Sequence, residues 1–423
     1  MEHQKKSERL HYAWVIFAVC TFVAFTLIGL CHNTRSLYLE PVSSGLGVSR
    51  SEYAVTLLIG NLISAGISLL LGRIRTRVSL RTLMLAGLSS AAVGNVMIFV
   101  LTDSFGVFLI GEVLMGVAMG CSAMTVISLI IRNWFADHHG TILGALYMAT
   151  GLGSVVFAPV VGSLIEQGGY RRGYGFHMIV MLSALLLAAL TLKDEPAQKH
   201  MWPLSLHKAG ERAQTAEQPL YGMMLRDACR TVRFWLMLLL GVMIGFGVQA
   251  VQGTYAAHIG SDLAYGTTFA AGIVSTLYVV NTCAKIPIGM MLDKIGIRSV
   301  LLVCSAAMGA SALMLVLLKP GAPAAAYAFA VCLGIGNIIF TVPCPLVALH
   351  IFGSRDATTL TGIFMAGTSL GAAIGSPVSN AVYESCGTYA PIYLGMLAMF
   401  AAAAVLSLTV VRPAYDTQSK AGH

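Results

Sequence analysis

The chain has 423 residues, of which 57% are hydrophobic and only 10% are charged, and its mean hydropathy is +0.79. A soluble protein of this size carries about 25% charged residues, so this composition excludes an ordinary soluble domain and indicates a membrane protein. The net charge of +8 does not imply a nucleic-acid partner, because the basic residues are distributed along the chain in a pattern that reports membrane topology.

Twelve apolar segments follow one another, and each is long enough to cross a bilayer as a helix. A basic start precedes the first segment, but no small-x-small cleavage site follows it, so we predict a retained helix rather than a signal peptide. The prediction is an all-α membrane protein with twelve transmembrane helices. We number these segments as spans 1 to 12, and they cover residues 12–34, 53–72, 80–101, 105–131, 140–165, 174–192, 233–256, 267–290, 298–318, 323–350, 358–383 and 389–411.

The basic residues predict which way the spans run. Twenty of the 26 Lys and Arg residues fall on the side that carries the N-terminus. The positive-inside rule therefore places both termini in the cytoplasm, with the spans in a bacterial inner membrane. On the opposite side there are only five, which are Arg35, Arg50, Arg171, Arg172 and Lys319.

The chain divides into two halves of six spans. A polar stretch separates them, so we predict an N-terminal half at 1–192, a cytoplasmic linker at 193–232, a C-terminal half at 233–411 and a tail at 412–423. The segments WFADHHGTILGALYMA and IFGSRDATTLTGIFMA align at an offset of 217 residues, and both end in Met-Ala after an aromatic residue. One offset that relates both halves indicates a parallel internal repeat.

The segment GMMLDKIGIR between spans 8 and 9 carries a recognisable signature. Its residues Gly289, Asp293, Lys294, Gly296 and Arg298 match G-x-x-x-D-[RK]-x-G-x-[RK]. This resembles the signature of the major facilitator superfamily, which implies a fold of twelve helices and a loop that latches one conformational state. Gly289 is then expected to permit a close helix approach.

Lys285 is the only basic residue predicted to lie inside a span. A lysine near the bilayer centre costs about 2.5–3.5 kcal/mol on insertion scales. Its ammonium group can extend towards the cytoplasmic surface, about 9 Å away. Alternatively, it faces a wet cavity together with Tyr278 and Asn281, which share its helical face. A hydroxyl, an amide and an ammonium group on one face predict a binding site for an anion.

The position of this cation is similar to that in the monocarboxylate porters and the oxalate/formate antiporters, which carry one four residues before the signature glycine. Lys285 precedes Gly289 by four residues, and Asn281 stands where monocarboxylate porters have an acidic or amide residue. The family's usual cation is Arg, whereas Lys binds as a point charge. The segments at residues 11–14 and 134–149 also resemble this branch.

Further polar residues are candidates for binding and coupling. His32 stands where monocarboxylate porters place a coupling lysine, and imidazole titrates near neutral pH, so His32 is predicted to carry the coupled proton or to bind the anion; a polar residue at the water boundary is the alternative. Arg35 is a second coupling candidate and is expected at the membrane interface. The 217-residue offset places Gln249 and Gln252 at the places in span 7 that correspond to His32 and Arg35.

Two more candidates lie in spans 4 and 5. Glu112 either couples a proton or stays neutral and hydrogen-bonded, because a buried carboxyl group holds a proton readily. Tyr147 is expected to contact substrate, since span 5 faces the central cavity in the resembled fold. Asn61 in span 2 is instead expected to bond to a neighbouring helix.

Together these features predict a proton-coupled transporter of a small monocarboxylate such as lactate or formate, working by alternating access. The alternatives are an organic-anion exchanger of the oxalate/formate type and a drug efflux antiporter. Neither a nucleophile–base pair nor a phosphate-binding loop is recognisable, so we do not expect an enzyme. The nine scattered cysteines lack metal-ligand spacing, so neither a metal nor a cofactor is expected.

Overall fold

The structure is a computed structural model, and it describes residues 11–101, 104–122, 124–136, 139–199, 201–205, 222–353 and 355–412. Within these ranges the backbone is mostly helical, and the two β-type contacts are isolated bridges that join Phe135 to Leu204 and Gly222 to Gly353. The predicted all-α fold with twelve spans is therefore confirmed.

Most spans are longer than the hydropathy pattern predicts. The uninterrupted spans are Arg50–Arg75 (span 2), Leu80–Leu101 (span 3), Thr267–Ile295 (span 8), Ile297–Leu317 (span 9), Ala357–Cys386 (span 11) and Ala390–Val410 (span 12). Spans 5 and 6 form one stretch, His139–Thr191, which bends where Gly168 and Gly169 leave helical geometry. Gly169 has φ 72°, a value that glycine adopts without steric cost.

The other four spans are assembled from shorter pieces. Span 1 consists of Tyr12–Thr26, a π turn at Leu27–His32, a 3₁₀ turn at Arg35–Tyr38 and a helix at Leu39–Leu46. Span 4 consists of Phe105–Ser122 and Met124–Trp134. Span 7 consists of Val232–Gln252, Tyr255–Ala257 and a π turn at His258–Asp262. Span 10 consists of Pro323–Gly336, Ile338–Thr341 and Cys344–Phe352.

Among the described residues, nine helical segments are long and apolar enough to cross a membrane, and the joined spans 5 and 6 count as one of them. The two helices outside this set are spans 2 and 11. Span 11 contains the run GTSLGAAIGSPVSN, whose small and hydroxylated residues lower its hydropathy. Because these two helices pack against each other at the boundary between the halves, part of their surface faces protein rather than lipid.

The alternating spans create two faces of the bundle. We call the end that carries residues 11, 191–199, 295–297, 352–357 and 412 the terminal face. The opposite end, with the connections at 46–50, 262–267 and 386–390, is the distal face. Whether the terminal face lies in the cytoplasm stays a prediction, as do the domain boundaries.

Close contacts between small residues hold each half together. In the N-terminal half, a Cβ atom on Gly29 of span 1 would lie 2.7 Å from the Cα atom of Gly153 in span 5. In the C-terminal half, Gly245 of span 7 packs as tightly against the backbone of Thr368 in span 11. Close backbone approach supplies the van der Waals contact on which membrane helices depend.

The two halves meet along two helix pairs, spans 5 and 8 and spans 2 and 11. Between spans 5 and 8, the Ser275 hydroxyl donates to the Val155 carbonyl oxygen at 2.9 Å. Gly151 lies directly against Thr282. Towards the terminal face this packing ends, because a Cβ atom on Gly144, Gly289 or Gly362 would meet no atom within 4 Å. The halves are therefore joined at the distal face and separated at the terminal face.

Candidate functional site: a polar cavity between the halves

A cavity lies between the halves where spans 1 and 7 are interrupted. Its volume is about 550 Å³, including the part that opens to solvent. The breaks explain why polar side chains gather there, since each span leaves regular helical geometry beside the cavity. Spans 1, 2, 7 and 8 supply the lining, which comprises His32, Asn33, Arg35, Ser36, Tyr53, Leu57, Asn61, Gln249, Gln252, Gly253, Tyr255 and Tyr278.

The lining repeats between the halves. Adding the offset of 217 to residues 32, 35 and 61 gives 249, 252 and 278, so His32, Arg35 and Asn61 correspond to Gln249, Gln252 and Tyr278. The offset thus pairs the lining residues of span 1 with those of span 7. The chemistry of the two walls differs, because the N-terminal half supplies the guanidinium and imidazole groups and the C-terminal half supplies neutral amides.

Arg35 belongs to a buried ion pair. Its side chain turns away from the membrane surface, and its Nη2 atom lies 3.4 Å from Oε2 of Glu112, with 10% and 3% of the two side chains exposed. The Tyr174 hydroxyl donates to the other Glu112 oxygen at 3.3 Å, and the Tyr53 hydroxyl donates to the Arg35 carbonyl oxygen at 3.0 Å. The expectation that Arg35 lies at the membrane interface is therefore wrong. Since a buried charge needs a partner, Glu112 compensates a cation that lines the cavity.

Several polar groups of the cavity keep unused hydrogen-bonding capacity. The Nδ1 atom of His32 is buried without a hydrogen-bond partner. Within the described ranges, the side-chain amides of Asn61, Gln249 and Gln252 also form no hydrogen bond with the protein. The expectation that Asn61 bonds to a neighbouring helix is thus not met, because its side chain borders the cavity. Such groups can bind a polar ligand or water.

The three predicted residues of span 8 separate in the structure. Tyr278 lines the cavity. Asn281 is 5% exposed, and its amide donates to the Gly334 carbonyl oxygen of span 10 at 3.1 Å. Lys285 is half-buried, lies about 10 Å along the helix from Tyr278, and forms no ion pair or hydrogen bond with another described residue. Its predicted role in substrate binding stays a prediction.

Lys285 and Tyr147 lie at similar depths on facing helices. Spans 5 and 8 run antiparallel, and Gly151 contacts Thr282 while Val155 contacts Ser275. The same register brings position 148 level with Lys285. Tyr147 is half-buried and lies outside the cavity lining, so both residues belong to the opening between the cavity and the terminal face.

The signature residues lie where span 8 ends. Gly289, Asp293 and Lys294 belong to the last turns of the helix, and Gly296 ends it with φ 83°. Asp293 and Lys294 are exposed, and no ion pair links them to the rest of the described chain. The close approach expected at Gly289 is absent in this conformation, because its surroundings are open. The latch remains a prediction for a conformation in which the terminal face is closed.

Sequence reasoning missed a polar network at the distal face. Arg50 donates from Nε to Glu40 at 2.7 Å, and its Nη1 and Nη2 atoms donate to Asp262 of the other half at 3.2 and 2.7 Å. It also donates to the Tyr389 hydroxyl at 3.2 Å and lies over the Tyr383 ring at 4.2 Å. The sequence offers no signal for this network, because its members are 212 and 339 residues from Arg50.

A helical bundle of two repeated halves, with a polar cavity between them that is closed at one face and open at the other, defines a membrane transporter of small molecules. The family model of the Major Facilitator Superfamily matches residues 15–277 and 237–423, and the chain belongs to this superfamily.

Similar proteins agree on the family but differ in what their names describe. The chain is 25% identical over 264 residues to an MFS-type transporter of Gibberella moniliformis, covering 61% of this chain and 57% of that protein. It is 22% identical over 270 residues to the uncharacterized MFS-type transporter YhjX of Escherichia coli, covering 62% of each. The match thus spans about six-tenths of the length of these relatives.

Solved structures share the fold at low sequence identity. The nucleoside transporter NupG superposes with a TM-score of 0.75 at 14% identity, covering 96% of this chain and 100% of that chain. A D-xylose-proton symporter superposes with a TM-score of 0.69 at 17% identity, covering 94% and 97%. These likenesses establish the fold alone.

Proposed function

We propose that this protein is a secondary transporter that moves small organic anions together with protons, by opening the polar cavity alternately at its two faces. The observation that carries the proposal is the ion pair between Arg35, which lines the cavity, and Glu112, which is buried behind it. The pair combines an anion-binding group with a group that can accept a proton.

Competition for Arg35 couples the two solutes. With Glu112 ionised, the guanidinium group already has a partner, so an anion gains little by binding. Protonation of Glu112 removes that partner, and an unpaired cation in a low-dielectric environment then favours the carboxylate of a substrate. Loss of the proton restores the ion pair and releases the anion. One proton therefore accompanies one monocarboxylate. His32, which also lines the cavity, remains a candidate for carrying the proton or binding the anion.

Lys285 and Tyr147 act earlier along the route in this proposal. The ammonium group lies between the open terminal face and the cavity, where it attracts an anion before the anion reaches Arg35. The predicted topology then makes this opening the cytoplasmic one in a bacterial inner membrane. Exchange against a counter-anion and drug efflux remain the alternatives from the sequence, and neither requires protonation of Glu112.

A neutral polar solute is the second candidate. It is favoured by the charge balance of the cavity, since Glu112 already compensates Arg35 and much of the remaining lining consists of amides and hydroxyls. Two of the similar structures are named as transporters of a nucleoside and of D-xylose.

The test is uptake of labelled lactate and formate into proteoliposomes with an imposed proton gradient. We expect wild type to accumulate the anion, and Lys285→Ala to reduce the initial rate by about tenfold or more, because a charge that meets the anion is lost. Glu112→Gln should abolish the dependence on the proton gradient, since its amide cannot titrate. Lys319→Ala, which removes an exposed lysine at the distal face, is the matched control.

The outcomes separate the candidates. Accumulation without a proton gradient, but only with an anion inside the vesicles, would favour exchange. Uptake of nucleosides or sugars in the absence of any anion uptake would favour the neutral solute. Full activity in both Lys285→Ala and Glu112→Gln would remove the basis of the proposal.

A further inference from the structure

The two walls of the cavity present different chemistry to a bound molecule. The wall of the N-terminal half carries Arg35 and His32, and the facing wall carries Gln249, Gln252 and Tyr278. The offset between the halves makes this contrast meaningful, because the charged or titratable pair and the neutral pair occupy corresponding places in spans 1 and 7. A molecule that fills the cavity meets a cation on one side and neutral hydrogen-bonding groups on the other.

The neutral wall offers more hydrogen bonds than a simple carboxylate can use. Each glutamine amide supplies two N–H donors and an acceptor oxygen, and a tyrosine hydroxyl supplies one donor and further acceptor capacity. Among the described residues none donates to or accepts from these three side chains, although each is half-buried. Gln249 and Gln252 are also about 4.5 Å apart along the helix axis, so a single substituent on the ligand cannot satisfy both in full.

We infer that the substrate is a polyhydroxylated carboxylic acid, bound with its carboxylate towards Arg35 and its hydroxyl groups towards Gln249, Gln252 and Tyr278. The inference rests on the proposed function for the acid and adds the class of acid and the residues that select it. A fatty acid of equal length would leave the amides unpaired in the cavity, which is the kind of mismatch that a hydrogen-bonding site rejects most strongly.

The experiment measures binding as protection of the purified, detergent-solubilised protein against thermal unfolding, which requires no knowledge of transport direction. The probes are gluconate and hexanoate, which share a six-carbon chain, and glycerate, lactate and propionate, which carry two, one and no hydroxyl groups. We expect gluconate to protect at a concentration at least about tenfold lower than hexanoate, since each satisfied hydrogen bond contributes up to about a factor of ten. Protection should also weaken stepwise from glycerate to propionate.

Variants identify the selecting residues. Gln249→Leu and Gln252→Leu should each weaken protection by gluconate by about tenfold while leaving hexanoate within about threefold, because the hydrocarbon chain forms no hydrogen bond with the amide. Gln249→Asn retains an amide and should keep part of the preference. Gln167→Leu is the matched control, since Gln167 is exposed at the distal end of span 5 and bonds to Ser163. The unfolding temperature without ligand reports whether each variant is folded.

Each result has a separate meaning. Equal protection by gluconate and hexanoate would overturn this inference and leave anion transport standing. A preference for gluconate that neither glutamine variant alters would overturn the assignment of the wall. Protection by neutral sugars or nucleosides, with none from any acid, would overturn the proposed function and the acid inferred here with it.

Discussion

The two ends of the interface between the halves are built differently. At the distal face, Arg50 joins Glu40, Asp262 and Tyr389, and Ser51 bonds to Glu384 of the other half through both its backbone N–H and its hydroxyl, each at 2.7 Å. At the terminal face, spans 5, 8 and 11 present glycines with no neighbouring atoms. Polar contacts can be exchanged for contacts with water, whereas small residues allow helices to close without a specific partner. We infer that the distal end is the one that must be unlocked before the cavity can change sides.

The largest effect is expected from Arg50→Leu. Removing one partner of a poorly exposed ion pair costs about 2–5 kcal/mol, which would lower the ratio of distal-closed to distal-open molecules by at least about thirtyfold. Spin labels at Ser44 and Ser385, which are exposed on the two halves at the distal face, would report this change as a longer distance between them.

Arg172→Leu is the control for that measurement. Arg172 is an exposed arginine at the same face, but it bonds at 3.5 Å to the Gln167 carbonyl oxygen of its own half. Its replacement should leave the distance between the two labels unchanged. An unaltered distance distribution in Arg50→Leu would mean that the network does not hold the distal face closed.

A smaller effect, opposite in sign at the two ends, is expected from adding side chains to span 5. Gly151→Val would overlap the Thr282 hydroxyl and should disfavour the present conformation. Gly144→Val has free space here, so it should leave the unfolding temperature within about 4 °C of wild type, a change of about 1 kcal/mol or less. It should nevertheless slow transport by about tenfold, because closure of the terminal face would bury the added methyl groups.

The measurements are thermal unfolding and initial uptake rate of the same preparations. Gly144→Ala adds a single methyl group and should give an intermediate rate. If Gly144→Val transports as fast as wild type, span 5 does not approach another helix at this position during the cycle.

Part of this arrangement could be predicted from the sequence. Long apolar runs predicted the twelve spans because each helix must hide its backbone from lipid. The repeat offset predicted that Gln249 and Gln252 correspond to His32 and Arg35, and all four line the cavity. An offset carries such information because both halves repeat one arrangement of helices.

Other parts could not be predicted. Helical periodicity placed Tyr278, Asn281 and Lys285 on one face, but span 10 borders that face as well as the cavity, and the Asn281 amide bonds to Gly334. Periodicity gives a direction and does not give the neighbour. The ion pair of Arg35 also depends on the break in span 1, which turns the side chain towards span 4, and hydropathy contains no signal for such a break.

The smallest effect is expected from the contact between Ser51 and Glu384. Burial opposes ionisation of this distal carboxyl group, but the hydrogen bonds from the Ser51 backbone and hydroxyl outweigh it, so the pKa of Glu384 lies below its ordinary value of 4.5. A carboxyl group with a lowered pKa stabilises the closed face above its ordinary pKa, and that contribution is lost as the pH falls through the lowered value. Distal opening measured with the Ser44 and Ser385 labels should therefore increase slightly only below about pH 4.5. Glu384→Gln should remove that step and leave the behaviour between pH 6 and 8 close to wild type, on the order of a surface contact. A step of the same size in Glu384→Gln would assign the pH response to another group of the distal network.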